Sequence, residues 1–403
     1  MQPLESQLDE AQRWEYAVET VSIKKDAVND RSVKASQFAK PYFEFSGACA
    51  GCGETPYIKL VTQLFGDHMY ITNASGCSSA YGGSTPSSPY CTDKNGFGPS
   101  WAMSLFEDNA EYAYGYLLGQ DAVQRQLRAA VGKLAERGIA EEACRNYLEK
   151  TATYAESREA SDALLAALET AEGEEAEFVR NNKEYLTKKS VWAFGGDGWA
   201  YDIGYGGLDH VLASGRNINL LVLDTEVYSN TGGQSSKATA AAAIAKFSAG
   251  GKVTKKKDLG LMAMSYGYVY VAQVAMGADP AQTLKAIREA EAYDGPSIVI
   301  CYCPCIEHGM KASMGLSQIE EKKAVECGYW HLYRYDPRRK AEGKNPFQLD
   351  SKPPTGDFQQ FLMGENRYAS LKLSFPEKAD ALYAKAAGDA KERYESYVKL
   401  AKE

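Results

Sequence analysis

The sequence predicts an α/β fold: a doubly wound, mostly parallel sheet with a helical insertion and a helical C-terminal extension. Three observations predict it. Short apolar runs alternate with helical patterns from Ser190 to Glu307, a helical period occupies residues 105–188, and a long helix-forming stretch closes the chain at Pro376–Leu400. Strands separated by helix-length crossovers pair in parallel and take helices on both faces.

Taken in order, residues 1–40 are polar with no clear period and read as an arm or interdomain linker. From Tyr42 to about Ser100 the chain is rich in Gly, Ser, Thr and Pro, including Gly82-Gly83-Ser84-Thr85-Pro86-Ser87-Ser88-Pro89, with one strand-like run, Met69–Thr72. Loops of such length in a compact domain usually carry function. In the insertion, Val123, Leu127, Val131 and Leu134, then Ala163, Leu164 and Leu168, fall at helical spacing and serve packing. The next segment reads as strand Val191–Phe194, turn Gly195–Gly198, helix Tyr201–Leu212 and buried strand Ile218–Leu223. Strand Tyr268–Val274, helix Pro280–Ala292 and strand Ser297–Tyr302 follow. Residues 311–403 combine a loop around Pro337–Gly356 with the terminal helix. The expected division is therefore 1–40, 41–310 with its insertion at 105–188, and 311–403.

Composition narrows the function classes. No stretch approaches the roughly 18 consecutive apolar residues of a membrane span, and the N-terminus has no apolar leader core, so a cytoplasmic protein is expected. Net charge is -8 and the main basic run, Lys252–Lys257, lacks interleaved aromatics. Nucleic acid is therefore not an expected partner, and that run reads as a solvated loop.

Nine cysteines are many for a compartment in which disulfides are rare. Cys49 and Cys52 form a C-x-x-C among small residues, Cys77 stands alone in Ser75-Gly76-Cys77-Ser78-Ser79, and Cys301, Cys303 and Cys305 crowd one segment. Cys91, Cys144 and Cys327 read as buried or incidental thiols. On spacing alone, such a set describes a zinc site as readily as an iron-sulfur cluster.

A second constellation surrounds Gly196-Asp197-Gly198. It lies between a strand and a helix, and in such sheets ligands bind beyond the carboxyl ends of strands. Two glycines admit a phosphate close to backbone, the following helix offers unpaired N–H groups, and Asp197 offers a carboxylate to a hard cation. Twenty-five residues, Trp199 to Leu223, separate the motif from Asp224-Thr225. That length supplies one helix and one strand, bringing both ends to one edge, where Thr225 adds a hydroxyl and the Glu226-Val227-Tyr228 loop a carbonyl. The pattern resembles the thiamine diphosphate motif, with Asp224-Thr225 where that motif has paired asparagines.

The string Asp224-Thr225-Glu226-Val227-Tyr228-Ser229-Asn230-Thr231-Gly232-Gly233-Gln234-Ser235-Ser236-Lys237-Ala238-Thr239 resembles the pyruvate:ferredoxin (flavodoxin) oxidoreductase family, in its C-terminal thiamine-diphosphate-binding domain. The resemblance extends over Phe43–Tyr57, Asn73–Asp108 and Tyr266–Gly309. It implies that Asp197, Thr225 and the Val227 carbonyl bind Mg2+. It implies further that Glu54, Cys77, Gly196, Trp199, Ser229 and Asn230 contact thiamine diphosphate, with Asn230 near the reacting carbon as the catalytic residue. Gly198, Glu226 and Tyr228 complete the expected cofactor-binding set. The resemblance also supplies the fourth thiolate as Cys305, in Cys305-Ile306-Glu307-His308-Gly309, so that Cys49, Cys52, Cys77 and Cys305 would hold a 4Fe-4S cluster. Position agrees, since Cys305 lies past the strand in the loop at its carboxyl end, whereas Cys301 and Cys303 belong to the strand.

By the same resemblance, the expected function is oxidative decarboxylation of pyruvate to acetyl-CoA, with electrons passing to ferredoxin or flavodoxin. Thiamine activation needs a glutamate, and in the resembling family it belongs to regions upstream of this one. The expected partners are thus pyruvate, coenzyme A, the electron acceptor and the upstream domains or subunits, in a homodimer of the complete enzyme; the chain alone is expected to be inactive. Two other classes compete: a thiamine enzyme without electron transfer, which has no use for converging cysteines, and a zinc-stabilised assembly subunit, which leaves Asp197 and Thr225 idle.

Overall fold

The computed structural model describes the chain except residues 1, 22, 25, 26, 30, 85, 86, 151, 152 and 403, and the side chain of Ser84. Part of the Gly82–Pro89 loop, Thr85 and Pro86, lies outside the described residues.

Among the described residues ten strands form: β1 Met69–Ala74, β2 Ser100–Ser104, β3 Ser190–Gly196, β4 Asn219–Asp224, β5 Val227–Tyr228, β6 Gln234–Ser235, β7 Tyr270–Val274, β8 Ser297–Tyr302, β9 Tyr333–Tyr335 and β10 Phe347–Leu349. Eight make one sheet in the order β10-β9-β7-β8-β4-β3-β1-β2, and β5-β6 is a separate hairpin. The six strands from β7 to β2 pair in parallel, while β9 and β10 join antiparallel at one edge. The two extra strands belong to the C-terminal extension, which therefore completes the sheet as well as adding helices.

The double winding follows from period-2 burial. Leu220 and Val222 of β4 pack into one core with Val191, Ala193, Ile298 and Ile300; Leu221 and Leu223 pack into the opposite core with Trp192, Phe194, Val299 and Cys301. Each strand is apolar on both sides, so both faces must be covered by helices. The insertion forms the helices Asn109–Glu136, Glu141–Glu149, Tyr154–Ala167 and Glu174–Asn181 around a third core, including Leu127, Val131, Leu134 and Leu164.

Three expectations need correction. The Tyr42–Ser100 stretch also holds an eleven-residue helix, Thr55–Phe65, started by Pro56 in its first turn and burying Tyr57, Ile58, Leu60 and Val61. The helix expected at Tyr201–Leu212 begins with a wide π-type turn, Gly198–Ile203, and continues as α-helix from Tyr205 to Ala213. Within the arm, Leu8–Thr20 is helical but buries none of its residues. Among the described residues no helix is long and apolar enough to cross a membrane.

Candidate functional site

Because β1, β3, β4 and β8 run parallel, their carboxyl ends share one edge of the sheet. The residues that follow them, Ser75–Cys77, Asp197, Thr225 and Cys303–Cys305, are thereby gathered from distant parts of the chain. Two adjoining cavities open among them.

The first, of about 190 Å³, is lined by Glu54, Cys77, Gly196, Asp197, Gly198, Trp199, Thr225, Val227, Tyr228, Ser229 and Asn230, together with Ser75, Gly76, Ser78, Phe106 and Thr231. One corner of it is all oxygen. Thr225 Oγ1 lies 3.0 Å from Asp197 Oδ1, 3.1 Å from the Val227 carbonyl and 2.6 Å from Ser229 Oγ. Ser236, which sequence reasoning did not single out, donates to Asp197 Oδ2 at 2.5 Å. A carboxylate, hydroxyls and a carbonyl are the donors a hard divalent cation selects. Burial and the neighbouring Asp224 push the Asp197 carboxyl up to about 8, so a counter-charge is what this corner lacks. Two buried polar atoms on the cavity residues, Ser75 Oγ and Trp199 Nε1, have no hydrogen-bond partner. Such orphans are rare in a folded interior, and together with the oxygen corner they fit a polar ligand carrying Mg2+. Gly198 is obligatory here, because a Cβ would lie 2.4 Å from the Tyr228 ring.

The second cavity, of about 220 Å³, is lined by Cys49, Cys52, Cys77 and Cys305 with Gly47, Ala48, Ala80, Tyr81 and Ile306, and shares Glu54, Thr225, Ser229 and Asn230 with the first. Two separate loops meet here. Gly53 donates its N–H to the Pro304 carbonyl at 3.0 Å, and a Cβ on Gly53 would stand 2.6 Å from Pro304 N. The small residues around Cys52 thus let the C-x-x-C loop press against the β8 end. Burial, then Glu54, pushes the Cys52 thiol up to about 12 and the Cys77 thiol higher; burial also raises Cys305. Thiolates gathered there need a cationic body between them. Among the described residues no three His, Cys, Asp or Glu side chains come close enough together to hold a single ion.

Glu54 sits between the cavities, 4% exposed, and accepts a hydrogen bond from Tyr81 at 2.8 Å. Burial raises its carboxyl to about 7 against that bond. Cys301 and Cys303 are fully buried in the core beneath and line neither cavity. Neither does Glu226: its side chain turns into the protein, toward Lys256 at 3.1 Å and Arg367 at 2.8 Å. Burial opposes its charge, but Lys256 and Arg367 prevail and hold its carboxyl at about 2. Of Glu226, expected in the cofactor-binding set, the side chain is thus engaged in an interior ion pair. The solvated-loop reading of Lys252–Lys257 fails at Lys256 for the same reason. It is 7% exposed and bonds both Asp224, at 2.7 Å, and Glu226.

Comparison with known proteins bears on the same region. The family described as thiamine pyrophosphate enzyme, C-terminal TPP binding domain, matches residues 176–301, which span β3, β4, β7 and the carboxyl-edge loops between them. Pyruvate:ferredoxin oxidoreductase of Moorella thermoacetica is 61% identical over 383 residues, which are 93% of this chain and 32% of that protein. By sequence, this chain is a relative of the pyruvate:ferredoxin and pyruvate-flavodoxin oxidoreductases. Pyruvate-flavodoxin oxidoreductase of Klebsiella pneumoniae is 56% identical over 409 residues, 100% of this chain and 35% of the relative. The chain therefore spans about a third of the length of the curated relatives it matches. Among solved structures, a 2-oxoglutarate:ferredoxin oxidoreductase from Magnetococcus marinus is similar at a TM-score of 0.40 and 16% identity, over 65% of each chain.

Proposed function

We propose that this chain is the thiamine-diphosphate- and cluster-holding part of an oxidoreductase that converts pyruvate and coenzyme A to acetyl-CoA, CO2, a proton and two electrons. The single observation that carries the proposal is the contiguity of the two cavities, which share Glu54, Cys77, Thr225, Ser229 and Asn230. A thiamine diphosphate bound there supplies the electron sink that decarboxylation of a 2-oxo acid requires, and a 4Fe-4S cluster supplies a one-electron acceptor beside it.

The chain's own residues do the rest. Asp197, the Thr225 hydroxyl and the Val227 carbonyl hold Mg2+ and with it the diphosphate; Gly196 and Gly198 let it approach backbone. Trp199 and Ser75 offer hydrogen-bonding atoms that have no other partner. Asn230, exposed in the loop joining β5 to β6, lines both cavities and would lie near the reacting carbon. Cys49, Cys52, Cys77 and Cys305 ligate the cluster. The Cys52 sulfur already accepts the Glu54 N–H at 3.4 Å, a contact that stabilises charge on sulfur. Electrons leave to ferredoxin or flavodoxin. Upstream domains or subunits contribute the activating glutamate and the 2-oxo-acid pocket, in a homodimeric whole. Residues 41–310, with the insertion at 105–188, form the cofactor-holding unit in this reading, while 1–40 link it upstream and 311–403 support it.

Anaerobic reconstitution tests the reading. The chain should take up about four irons, and thiamine diphosphate with Mg2+ should shift the electron paramagnetic resonance of the reduced cluster, as neighbours do. Thiamine uptake with iron near zero would point to a thiamine enzyme without electron transfer. Zinc uptake without thiamine would point to an assembly subunit.

A further inference from the structure

The turn that builds the oxygen corner is held from far along the chain. Glu226, between Thr225 and Val227, has a φ of 62°, a left-handed conformation that costs a glutamate free energy and persists only where the surroundings impose it. Its backbone is held locally, the N–H donating to Asp224 Oδ1 at 3.0 Å and the carbonyl accepting from the Thr239 hydroxyl, while its side chain is held by Lys256 and from the C-terminal extension. Arg367, in the helix Asn366–Ser374, places Nη1 2.8 Å from Glu226 Oε2 as an ion pair, off the line of a hydrogen bond. Its Nε donates to Glu365 at 2.7 Å and its Nη2 to the Tyr329 hydroxyl, which itself donates to Glu226. Its backbone carbonyl accepts the Ile244 N–H at 2.7 Å, tying the helix to the loop beyond β6. Arg367 and Glu226 are both fully enclosed, their side chains 2% and 1% exposed. From the same side, His308 Nε2 is 2.7 Å from the Thr225 carbonyl.

We infer that Arg367 is a positioning residue. Acting through Glu226, it holds the turn whose two flanking residues, Thr225 and Val227, present oxygen to Asp197. The inference rests on the reading of that corner as the Mg2+-diphosphate site. An ion pair enclosed in this way is strongly destabilising to break at one partner, yet close to neutral to replace at both. This asymmetry separates anchoring from mere stability. Second-sphere groups that orient metal ligands typically change metal affinity by about 10- to 100-fold when removed.

The test uses the 403-residue chain, with Mg2+ and thiamine diphosphate titrated by calorimetry below the melting temperature of every variant. Arg367→Met should weaken Mg2+-dependent thiamine diphosphate binding by about 10- to 100-fold and lower the melting temperature. In the double variant Glu226→Gln/Arg367→Met the charge of Glu226 is removed together with that of Arg367, while Glu365 still lacks its arginine partner, so the melting temperature should recover in part while the affinity should not. Arg367→Lys, which keeps the charge without the planar fork, should fold and bind with a smaller loss; it decides the matter if Arg367→Met does not fold. Affinity unchanged in the single variants, or affinity restored together with stability in the double, would overturn the positioning role and leave the site reading intact. Absence of binding by the unmodified chain would remove the site reading and the positioning role with it.

Discussion

Thr225 Oγ1 stands 3.0 Å from Asp197 Oδ1 although the two residues end different strands, 28 positions apart. The parallel pairing of β3 with β4 produces that contact, and it is the first thing to perturb. Asp197→Ala should abolish Mg2+-dependent binding of thiamine diphosphate, with a fall of about 100-fold or more, near 2.7 kcal/mol. The sheet should survive, because Asp197 lies past the end of β3 and outside its register with β4. Calorimetry with and without Mg2+ measures the first part and a thermal melt the second. Unchanged affinity would reduce the motif to an ordinary turn.

The cysteines give a prediction with internal controls. Cys305→Ser should bleach the anaerobically reconstituted chain, while Cys301→Ser and Cys303→Ser should leave it brown. The latter two are wholly buried in the core against Val299 and Leu223, so a hydroxyl there should cost stability, about 1–3 kcal/mol, and no iron. The reverse pattern, colour lost with Cys303→Ser and kept with Cys305→Ser, would overturn the ligand assignment.

His331 should confer acid sensitivity. It is 1% exposed, its Nε2 has no partner, and its ring lies 5.5 Å from that of Tyr394 and 5.6 Å from that of Tyr397 in the terminal helix. Burial, with Arg393 adding to it, lowers its pKa to about 3. The folded value is thus below the unfolded value of about 6.5, so the neutral ring's contribution is complete above that pH and drains away as pH falls toward 3. Relative to the parent, His331→Leu should gain ground over that window by up to about 1.4 kcal/mol per pH unit. Urea midpoints at pH 7, 6, 5 and 4 give the comparison. Parallel curves would show that His331 does not titrate with unfolding.

What was legible in the sequence follows its physics. Strands β3, β4 and β8 announce themselves because Ala193, Leu220 and Ile300 face one core and Trp192, Leu221 and Val299 the other, which produces continuous hydrophobic runs. β9 and β10 do not, being three residues each; Arg334, in the middle of β9, is held by Glu289 and Asp350 at 2.9 Å, a compensation invisible locally. The helix Thr55–Phe65 was hidden by the glycines and prolines around it. In the candidate site, Asp197, Thr225, Cys49, Cys52 and Cys77 were singled out because their residue types and spacing carry chemistry, whereas Cys305 was singled out by resemblance; the structure brings all of them to one edge of the sheet. Lys256 was read as part of a solvated loop because an ordinary charge is assumed to face water, and only its bonds to the distant Asp224 and Glu226 explain why it does not.

The chain's span, about a third of its relatives, bears on activity. With pyruvate, coenzyme A and a viologen dye, the isolated chain carrying its cofactors should show no turnover. Supplying the remaining two thirds of a relative, as a fusion or a separate polypeptide, should restore dye reduction that depends on both substrates. The physical ground is where the two nearest glutamates among the described residues stand. Glu226 is committed to Lys256 and Arg367 and faces away from both cavities. Glu54 faces both, but its position beside the Cys52 and Cys77 thiols places it at the boundary with the cluster cavity. Robust turnover by the isolated chain would therefore assign activation to Glu54, whose carboxyl, raised to about 7 by burial and bonded to Tyr81, is the one group within reach of both cavities that could exchange a proton near neutral pH. Glu54→Gln would then abolish that turnover while leaving the iron count unchanged.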